Sequence, residues 1–228
     1  GEGTLFSNTG GNSDTAVGTQ ALYANTTGSR NTAVGKAALT ANTTGDNNTV
    51  VGEGAGDSMT TGSENTIVGQ GAAEAITTGS NNTCIGFESV PTSATATNEI
   101  TLGNQAIQTL RCNVQTISSL SDERDKTAIA DLSYGLDFIN DMRPVEFTWN
   151  RRDGSFGAKP DMGFIAQDLY DVELAHSSTS RTRLVNWDNP LKLEADYVRT
   201  YPILVKAVQE LSAKVDALTA RIVELEGV

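Results

Sequence analysis

Ser121 and Lys126 lie five residues apart in the polar stretch Ser-Leu-Ser-Asp-Glu-Arg-Asp-Lys, residues 119–126. A serine hydroxyl becomes a nucleophile when a base takes its proton, and a lysine amine serves as that base if burial or nearby positive charge lowers its pKa. Arg124 is a candidate for such a neighbour. On a helix the two side chains would point about 140° apart, and on a strand they would lie on opposite faces. The pair therefore requires a bend in the chain or a lysine from another subunit.

Ring size decides which bond such a serine would cut. Attack of Ser121 on the Leu120 carbonyl closes a five-membered ring, an N→O acyl shift, whereas attack on its own carbonyl closes a strained four-membered ring. A serine acting within its own chain therefore favours cleavage of Leu120–Ser121, and a serine acting across subunits leaves Ser121–Asp122 open. The alternative interpretation is structural: Ser121 caps a helix or turn, with Asp122 and Glu123 in a favourable first turn.

The motif Ser-Asp-x-Arg-x-Lys, met by Ser121, Asp122, Arg124 and Lys126, resembles that of the self-cleaving C-terminal chaperone domain of phage tailspikes and tail fibres, peptidase S74. The resemblance continues through Gly135-Leu136, Arg143-Pro144, Phe147, Trp149, 163–167 (Gly-Phe-Ile-Ala-Gln), Tyr197 and 207–211 (Ala-Val-Gln-Glu-Leu). It implies a catalytic Ser121–Lys126 dyad supported by Asp122 and Arg124, cleavage near Leu120/Ser121, and a single-turnover serine endopeptidase that acts on its own chain.

The elements before this stretch are repetitive. Two series of glycines recur every 17 residues: Gly18, Gly35, Gly52, Gly69, Gly86, Gly103, and Gly11, Gly28, Gly45, Gly62, Gly79. Three residues such as Thr32-Ala33-Val34 precede each glycine of the first series, although the last copy, Ile100-Thr101-Leu102, has drifted. Such a fixed period predicts a solenoid whose coils are stable only when stacked.

Each repeat predicts one coil of this solenoid. A short β-branched strand ends at a glycine that permits positive φ or close backbone approach. A small-residue stretch such as Ala38-Leu39 or Ala72-Ala73 follows, and Thr-Thr-Gly turns the chain back. Asparagines precede the strands at Asn31, Asn48, Asn65 and Asn82. Stacked amides form ladders, and direct sugar binding is the alternative role for them.

The Asn-Thr-x-Val-Gly unit of these repeats resembles the head repeats of trimeric bacterial adhesins of the YadA type. That resemblance implies a parallel β-roll with three chains side by side, although the familiar period is shorter than 17. Trimerisation would also cover the interior edge of a glycine-rich coil that has few large side chains. Residues 104–117 lack the repeat, and Ile107, Leu110, Val114 and Ile117 predict a neck.

The chain after the dyad has a mixed pattern. We predict an amphipathic helix over 132–142 that Pro144 stops, a strand over 145–149, a turn at 151–154, and a second strand over 161–166. A short helix opens at Gln167, and Val185 and Trp187 suggest a further strand or packed loop. The only histidine, His176, is predicted to be solvated in a polar Ser/Thr loop.

A heptad seam follows from Tyr197 onward. Its a positions are Tyr201, Val208, Val215 and Ile222, and its predicted trimerisation residues are Leu204, Val208, Leu211, Val215, Leu218, Ile222 and Leu225. β-Branched residues at a with leucine at d usually favour two strands, whereas both resemblances imply three. Pro202 must lie near the helix start or at a kink.

Composition excludes several classes of function. The net charge is −12, with −7 in residues 1–110 and −5 in the rest, and no basic stripe interrupts it, so nucleic acid is not an expected partner. No apolar run reaches membrane-spanning length, and no signal peptide is visible at the start. We expect no metal site and no cofactor. No convincing carboxylate pair supports a carbohydrate-processing enzyme. Cys84 is expected to be buried, and its pairing with Cys112 stays open.

The predicted fold is mainly β and then α+β. It is a trimeric parallel β-roll of 17-residue repeats (1–103), a neck (104–120), an α+β chaperone domain (121–196) and a C-terminal coiled-coil helix (197–228). The predicted function is a fibre tip, on a phage tail or a bacterial surface, whose chaperone assembles a homotrimer and then cuts itself away. The alternative is a non-cleaving fibre that keeps the domain as a cap. A host or prey surface glycan or protein is the further partner expected.

Overall fold

The computed structural model of the chain describes residues 1–107, 109–111, 121–150, 158–176, 183–186 and 193–227. It divides into two compact units, Gly1–Leu110 and Arg111–Val228. The boundaries predicted at residues 103, 120 and 196 are finer than this division and stay predictions. Residues 104–107 and 109–111 form no regular helix or strand, and the rest of the predicted neck lies outside the described residues.

The first unit is a parallel β-solenoid, as the repeats predicted. Six three-residue strands form one sheet in sequence order: β1 (Thr15–Val17), β2 (Thr32–Val34), β3 (Thr49–Val51), β4 (Thr66–Val68), β5 (Thr83–Ile85) and β6 (Ile100–Leu102). Every residue pairs with the residue 17 positions further along, for example Val50 with Ile67. Such short strands are held because each coil hydrogen-bonds to the coils on both sides of it.

The core of the solenoid runs along the coil axis. The middle residue of each strand points inward, and Val50, Ile67 and Cys84 are fully buried there. Leu39 and Met59 pack against them from the other side of the coil. Each large apolar side chain buried in this way contributes about 1.5–3 kcal/mol relative to its exposed state. The narrow coil builds its core from one or two such residues per repeat, which is why the first unit needs so few aromatics.

Glycine follows each strand because the next coil comes too close for a side chain. At Gly35 and Gly52 φ lies near +140°, and a Cβ there would sit 2.4 and 2.3 Å from the carbonyl oxygen of the glycine one coil later. At Gly45, in the second series, φ is not in the left-handed region, yet a Cβ would still meet the Gly62 carbonyl oxygen at 2.2 Å. Both series are therefore required by close approach, and the first also by conformation.

The predicted amide ladder is confirmed. The Nδ2 groups of Asn48, Asn65 and Asn82 each donate to the Oδ1 of the asparagine one coil earlier, at 3.0–3.1 Å. The ladder ends at the Asp14 carboxylate, which accepts from both the backbone N–H and the Nδ2 of Asn31. A carboxylate suits that end because it only accepts. All four asparagines are buried, so the alternative role in direct sugar binding is wrong.

Cys84 is fully buried in β5, as expected for a small apolar core residue. Burial raises the pKa of its thiol to about 11, because the charged thiolate loses its hydration there. The thiol is therefore neutral at physiological pH. Cys112 lies outside the described residues, so a pairing between the two stays an open prediction.

The second unit mixes helices and strands. Its elements are a 3₁₀ turn (Glu123–Asp125), α1 (Leu136–Asp141), β7 (Val145–Thr148), β8 (Pro160–Gly163), α2 (Ala166–His176), β9 (Val185–Asn186), β10 (Glu194–Ala195), a second 3₁₀ turn (Tyr197–Arg199) and α3 (Thr200–Glu226). β7 pairs with β8 and β9 with β10, both antiparallel. The core between α1, α2 and α3 contains Phe138, Met142, Leu169, Leu184, Val185 and Ile203.

Several predicted boundaries in this unit are wrong. The first helix begins at Leu136 and not at residue 132, because the backbone N–H of Leu136 is capped by the Glu210 carboxylate of α3 at 2.8 Å. β8 ends at Gly163 and not at residue 166, because its partner β7 begins directly after Pro144 and offers no further backbone. Pro202 lies in the first turn of α3, where a missing N–H is harmless.

Two predictions near the ends of elements also change. His176 ends α2; its ring packs on Phe138, and its Nε2 lies 2.6 Å from an Asp141 carboxylate oxygen. The prediction of a solvated loop residue is therefore wrong. Tyr197 lies in the second 3₁₀ turn and packs edge-on against Phe164, so the heptad helix starts three residues later than expected. The predicted turn at 151–154 and Trp187 lie outside the described residues.

Within the described ranges, no helix is both long and apolar enough to cross a membrane.

Candidate active site

A tight turn supplies the bend that the spacing of the candidate dyad requires. The 3₁₀ turn over Glu123–Asp125 begins at Asp122, which caps it: an Asp122 carboxylate oxygen accepts from the Arg124 backbone N–H at 2.9 Å. The backbone N–H of Lys126 then donates to the Glu123 carbonyl at 3.0 Å, and Lys126 leaves the turn in an extended conformation. The chain therefore folds back on itself within six residues.

This turn brings the two candidate groups together within one chain. Lys126 Nζ lies 2.8 Å from Ser121 Oγ and 3.1 Å from the Ser121 carbonyl oxygen. The first distance is that of a direct hydrogen bond along which a proton passes between oxygen and nitrogen. A lysine from another subunit is therefore not needed to form the contact.

The structural alternative for Ser121 does not fit this geometry. Capping is performed by the next residue, Asp122, whose side chain takes the N–H that an N-cap serine would take. The Ser121 hydroxyl contacts the lysine amine instead. Glu123 lies in the first turn, as that alternative predicted, whereas Asp122 is the cap and not a residue of the turn.

Asp122 and Arg124 support the turn by pairing with each other. The Arg124 guanidinium donates to both carboxylate oxygens of Asp122, at 2.9 and 2.6 Å. This hydrogen bond holds the pKa of Asp122 below its usual range and raises that of Arg124. The Arg124 guanidinium is paired with this carboxylate. The role predicted for Arg124, as a positively charged neighbour of Lys126, therefore stays a prediction.

The dyad is open to solvent in the single chain. Every residue from Ser121 to Ser133 is exposed, so no described part of the chain excludes water from the hydroxyl or the amine. Leu120, on the other side of the predicted scissile bond, lies outside the described residues. A lysine amine accepts a proton only in its neutral form, which burial away from water favours, so chemistry at this site calls for a covering surface.

The rest of the unit holds the second feature of interest, the α3 helix. Its first turns are anchored, with Thr200, Ile203 and Ala207 buried against the domain. The carboxylate of Glu210 reaches the start of α1, where a side chain on Gly135 would collide with it at 2.3 Å. Glu210 lies in the motif at 207–211, and the glycine beside the start of α1 is the sequence signal for its contact.

The predicted trimerisation residues form an exposed apolar seam on α3. All seven are exposed, from 41% for Leu204 to 77% for Leu225. Beyond Glu210 the helix has no buried residue at all. A helix of this length with a continuous apolar stripe is stable in water only when partner helices cover the stripe.

Sequence reasoning missed two other polar contacts of this unit. Trp149 Nε1 donates to Asp161 across the β7–β8 hairpin at 2.9 Å, and this bond holds the pKa of Asp161 below its usual range. Arg143 forms an ion pair with Asp168. The two contacts join residues that are 12 and 25 positions apart in the sequence. No local sequence pattern predicts them. The first contact lies at the β7–β8 pair, and the second joins the segment after α1 to α2.

Comparison with known proteins identifies the segment that carries the dyad. Residues 121–176 match the family model Peptidase_S74, described as chaperone of endosialidase. The match begins at Ser121 itself and runs to the end of α2. No curated protein and no solved structure matches the chain. The segment that follows the β-solenoid and opens with the Ser121–Lys126 contact is therefore similar to the Peptidase_S74 family, chaperone of endosialidase.

Proposed function

We propose that this chain is the tip of a homotrimeric fibre whose C-terminal domain is an intramolecular chaperone that assembles the trimer and then releases itself. The observation that carries the proposal is the contact of Lys126 Nζ with Ser121 Oγ at 2.8 Å, at the first residue of the family match. A chaperone that opens with a nucleophile and base at its own N-terminal boundary is suited to detach itself there. The fibre belongs to a phage tail or a bacterial surface, and its further partner is a surface glycan or protein of the host or prey.

The exposed seam of α3 supports assembly into an oligomer. Seven heptad residues are exposed along one face of α3, and three parallel copies of the helix would bury them against each other. The anchored first turns of α3 fix the direction in which the seam leaves the domain. Trimerisation of α3 would thus bring three chaperone domains, and the three chains upstream of them, into register.

A trimerising chaperone has a physical purpose for this solenoid. Each strand has only three residues, and its partners lie 17 residues away on either side. Contacts of this kind form slowly, and the unpaired edges exposed meanwhile are prone to aggregate. The α3 helix itself consists of local contacts and forms quickly, so the association of three such helices supplies a nucleus from which the coils grow.

The cleavage step follows from the dyad. Neutral Lys126 takes the proton of Ser121 Oγ while that oxygen bonds to the Leu120 carbonyl carbon. The bond from this carbon to the Ser121 nitrogen then breaks, and the lysine ammonium returns its proton to that nitrogen. Water hydrolyses the resulting ester, leaving a Leu120 carboxylate and a free Ser121 amine and hydroxyl. If the hydroxyl acts on another subunit, the choice between Leu120–Ser121 and Ser121–Asp122 stays open.

The trimer is also a source of the covering surface that the dyad lacks. In one chain the hydroxyl and amine are solvated, and an ammonium has no lone pair with which to accept a proton. Packing of neighbouring copies around residues 121–126 would withdraw the amine from water and favour its neutral form. Cleavage would then follow assembly, which is the order that a chaperone needs.

The experiment compares the wild type with Ser121→Ala and Lys126→Arg on a denaturing gel and by intact mass spectrometry. The wild type is expected to yield two fragments, the C-terminal one beginning at Ser121 or Asp122, and both variants are expected to stay whole. Lys126→Arg keeps the charge and much of the length, but a guanidinium stays protonated and cannot be the base. The wild-type rate should rise with pH, because only the neutral amine accepts a proton.

Two outcomes would contradict parts of this proposal. Equal fragments from Lys126→Arg would remove the lysine from the mechanism. An intact wild-type chain in a trimer of normal mass would favour the alternative function, a non-cleaving adhesive fibre that keeps the domain as a cap. Light scattering of the Ser121→Ala chain measures the trimer independently of cleavage, and a monomer there would contradict assembly itself.

A further inference from the structure

The outer face of the solenoid sheet carries an apolar column that no described residue of the chain covers. The third residue of every strand points outward, and the six side chains stack one coil above another: Val17, Val34, Val51, Val68, Ile85 and Leu102. Five of the six are exposed, between 38% and 56%. The first residue of each strand also points outward and is threonine in five of the six coils. We call these two columns together the strand face.

The strand face has a composition that solvent alone does not explain. Strand propensity favours valine, isoleucine and threonine alike, so propensity predicts the same mixture in both columns. Threonine nevertheless fills the first column in five coils and never enters the second. An outer column kept free of hydroxyl groups through six repeats indicates burial against an apolar partner.

Charge sets the strand face apart from its borders. None of its outward side chains in β1–β6 is charged. Charged residues resume two positions before the strands, at Arg30 and Glu64, and two positions after them, at Lys36 and Glu53, all of them exposed. Residues 1–110 carry nine acidic and two basic side chains, so copies of this unit repel each other wherever acidic surfaces meet. The strand face allows identical copies to approach without that repulsion, and interface cores are depleted in charge in this way.

We propose that the valine column lies along the threefold axis of the trimer, where each coil contributes one layer of three identical side chains. This inference rests on the proposed trimer and adds which face of the solenoid meets the other copies. A threefold axis places equivalent residues of the three chains opposite each other. Because the column repeats every 17 residues, as the coils do, one coil in register brings every other coil into register.

Cross-linking tests the position of the column. The full chain carrying Ser121→Ala, to keep it intact, and Cys112→Ser, to remove the other thiol, receives Val51→Cys or, as the control, Glu74→Cys. Glu74 is exposed and lies outside the strand face. Both proteins are treated with a short bis-maleimide and run on a denaturing gel, and their native masses are measured by light scattering. Cys84 is buried and serves as the common background.

The expected result is efficient linkage of Val51→Cys and little linkage of Glu74→Cys. Three thiols around one axis accept one bridging reagent, so about two thirds of the chains should run as linked dimers. Complete conversion to dimers would overturn the threefold placement. A trimer in which Glu74→Cys links and Val51→Cys does not would overturn the choice of face and leave the proposed function standing. A monomer by light scattering would contradict the proposed trimer itself.

A charge placed in the column gives a second, independent measurement. Val51→Asp in the Ser121→Ala chain would bring three carboxylates together at the axis, so the trimer should melt well below its parent. Gln70→Glu adds the same charge at an exposed position outside the strand face and should leave the melting temperature nearly unchanged. Equal melting temperatures for the two variants would contradict the proposal even if cross-linking is inefficient.

Discussion

Asn65 offers the sharpest test of what holds the solenoid together. Its Oδ1 accepts from the backbone N–H and Nδ2 of Asn82, and its Nδ2 donates to Asn48 Oδ1 and to the Gly79 carbonyl. Asn65→Ala would leave the Asn82 N–H and the Gly79 carbonyl without these partners inside the coil. Each orphaned buried group costs about 1–3 kcal/mol, so we expect a loss of roughly 3–6 kcal/mol in the free energy of unfolding once the cavity is included.

The assay is thermal or guanidinium unfolding of the full chain in the Ser121→Ala background, with Asn12→Ala as the control. Asn12 is exposed, and its side chain has no place in the ladder. For a unit of about 100 residues, 1 kcal/mol shifts the melting temperature by about 4–8 °C. The melting temperature should therefore fall by about 10 °C or more in Asn65→Ala and by very little in Asn12→Ala. Equal losses for the two variants would refute the ladder as a source of stability.

Asn65→Asp separates the hydrogen bonds from the shape of the side chain. The carboxylate still accepts from Asn82 but donates nothing when ionised, and burial raises its folded pKa above the unfolded value near 3.9. A raised carboxyl pKa means that the folded state binds the proton more tightly, so stability falls as pH rises through the window between the two values. The variant should therefore lose more stability relative to its parent at pH 7 than at pH 4. A loss independent of pH would contradict burial of the charge.

Three further predictions concern single positions and the chaperone. Ser89→Ala should stabilise the solenoid by about 1–2 kcal/mol in denaturant unfolding, because its buried hydroxyl has no hydrogen-bond partner among the described residues; a loss would contradict this. Gly52→Ala should abolish folding, because its Cβ would lie 2.3 Å from the Gly69 carbonyl oxygen, whereas Gly54→Ala, with nothing within 4 Å and φ of +65°, should cost only about 1 kcal/mol; circular dichroism of both decides. Deleting 197–228 should leave the solenoid aggregated when it is synthesised afresh, and soluble native-like β-structure from that deletion would refute the chaperone role.

The candidate site shows how far a local pattern reaches. The spacing of Ser121 and Lys126 required a bend, and the structure supplies one, because Asp122 is a strong turn former at the right place. The same pattern left open whether Ser121 caps the turn and whether the lysine comes from another chain. Those choices depend on backbone dihedrals and side-chain rotamers, which a residue spacing does not encode.

The sequence by itself determined the solenoid almost completely. A period of 17, a glycine after each strand and an asparagine before four of the six strands repeat the same local constraints from coil to coil, and each coil contacts only its neighbours. Because the contacts lie between neighbouring repeats, the repeat in the sequence is enough to predict the structure of the coils.

Several boundaries and contacts of the second unit depend instead on packing between distant segments. The start of α1 is set by a carboxylate from Glu210, 74 residues away, and His176 is drawn from its predicted loop onto Phe138 and Asp141. Tyr197 leaves the heptad pattern because Phe164 offers it a packing partner. Each of these contacts joins segments distant along the chain, and its free energy outweighs the weak local propensities at those positions.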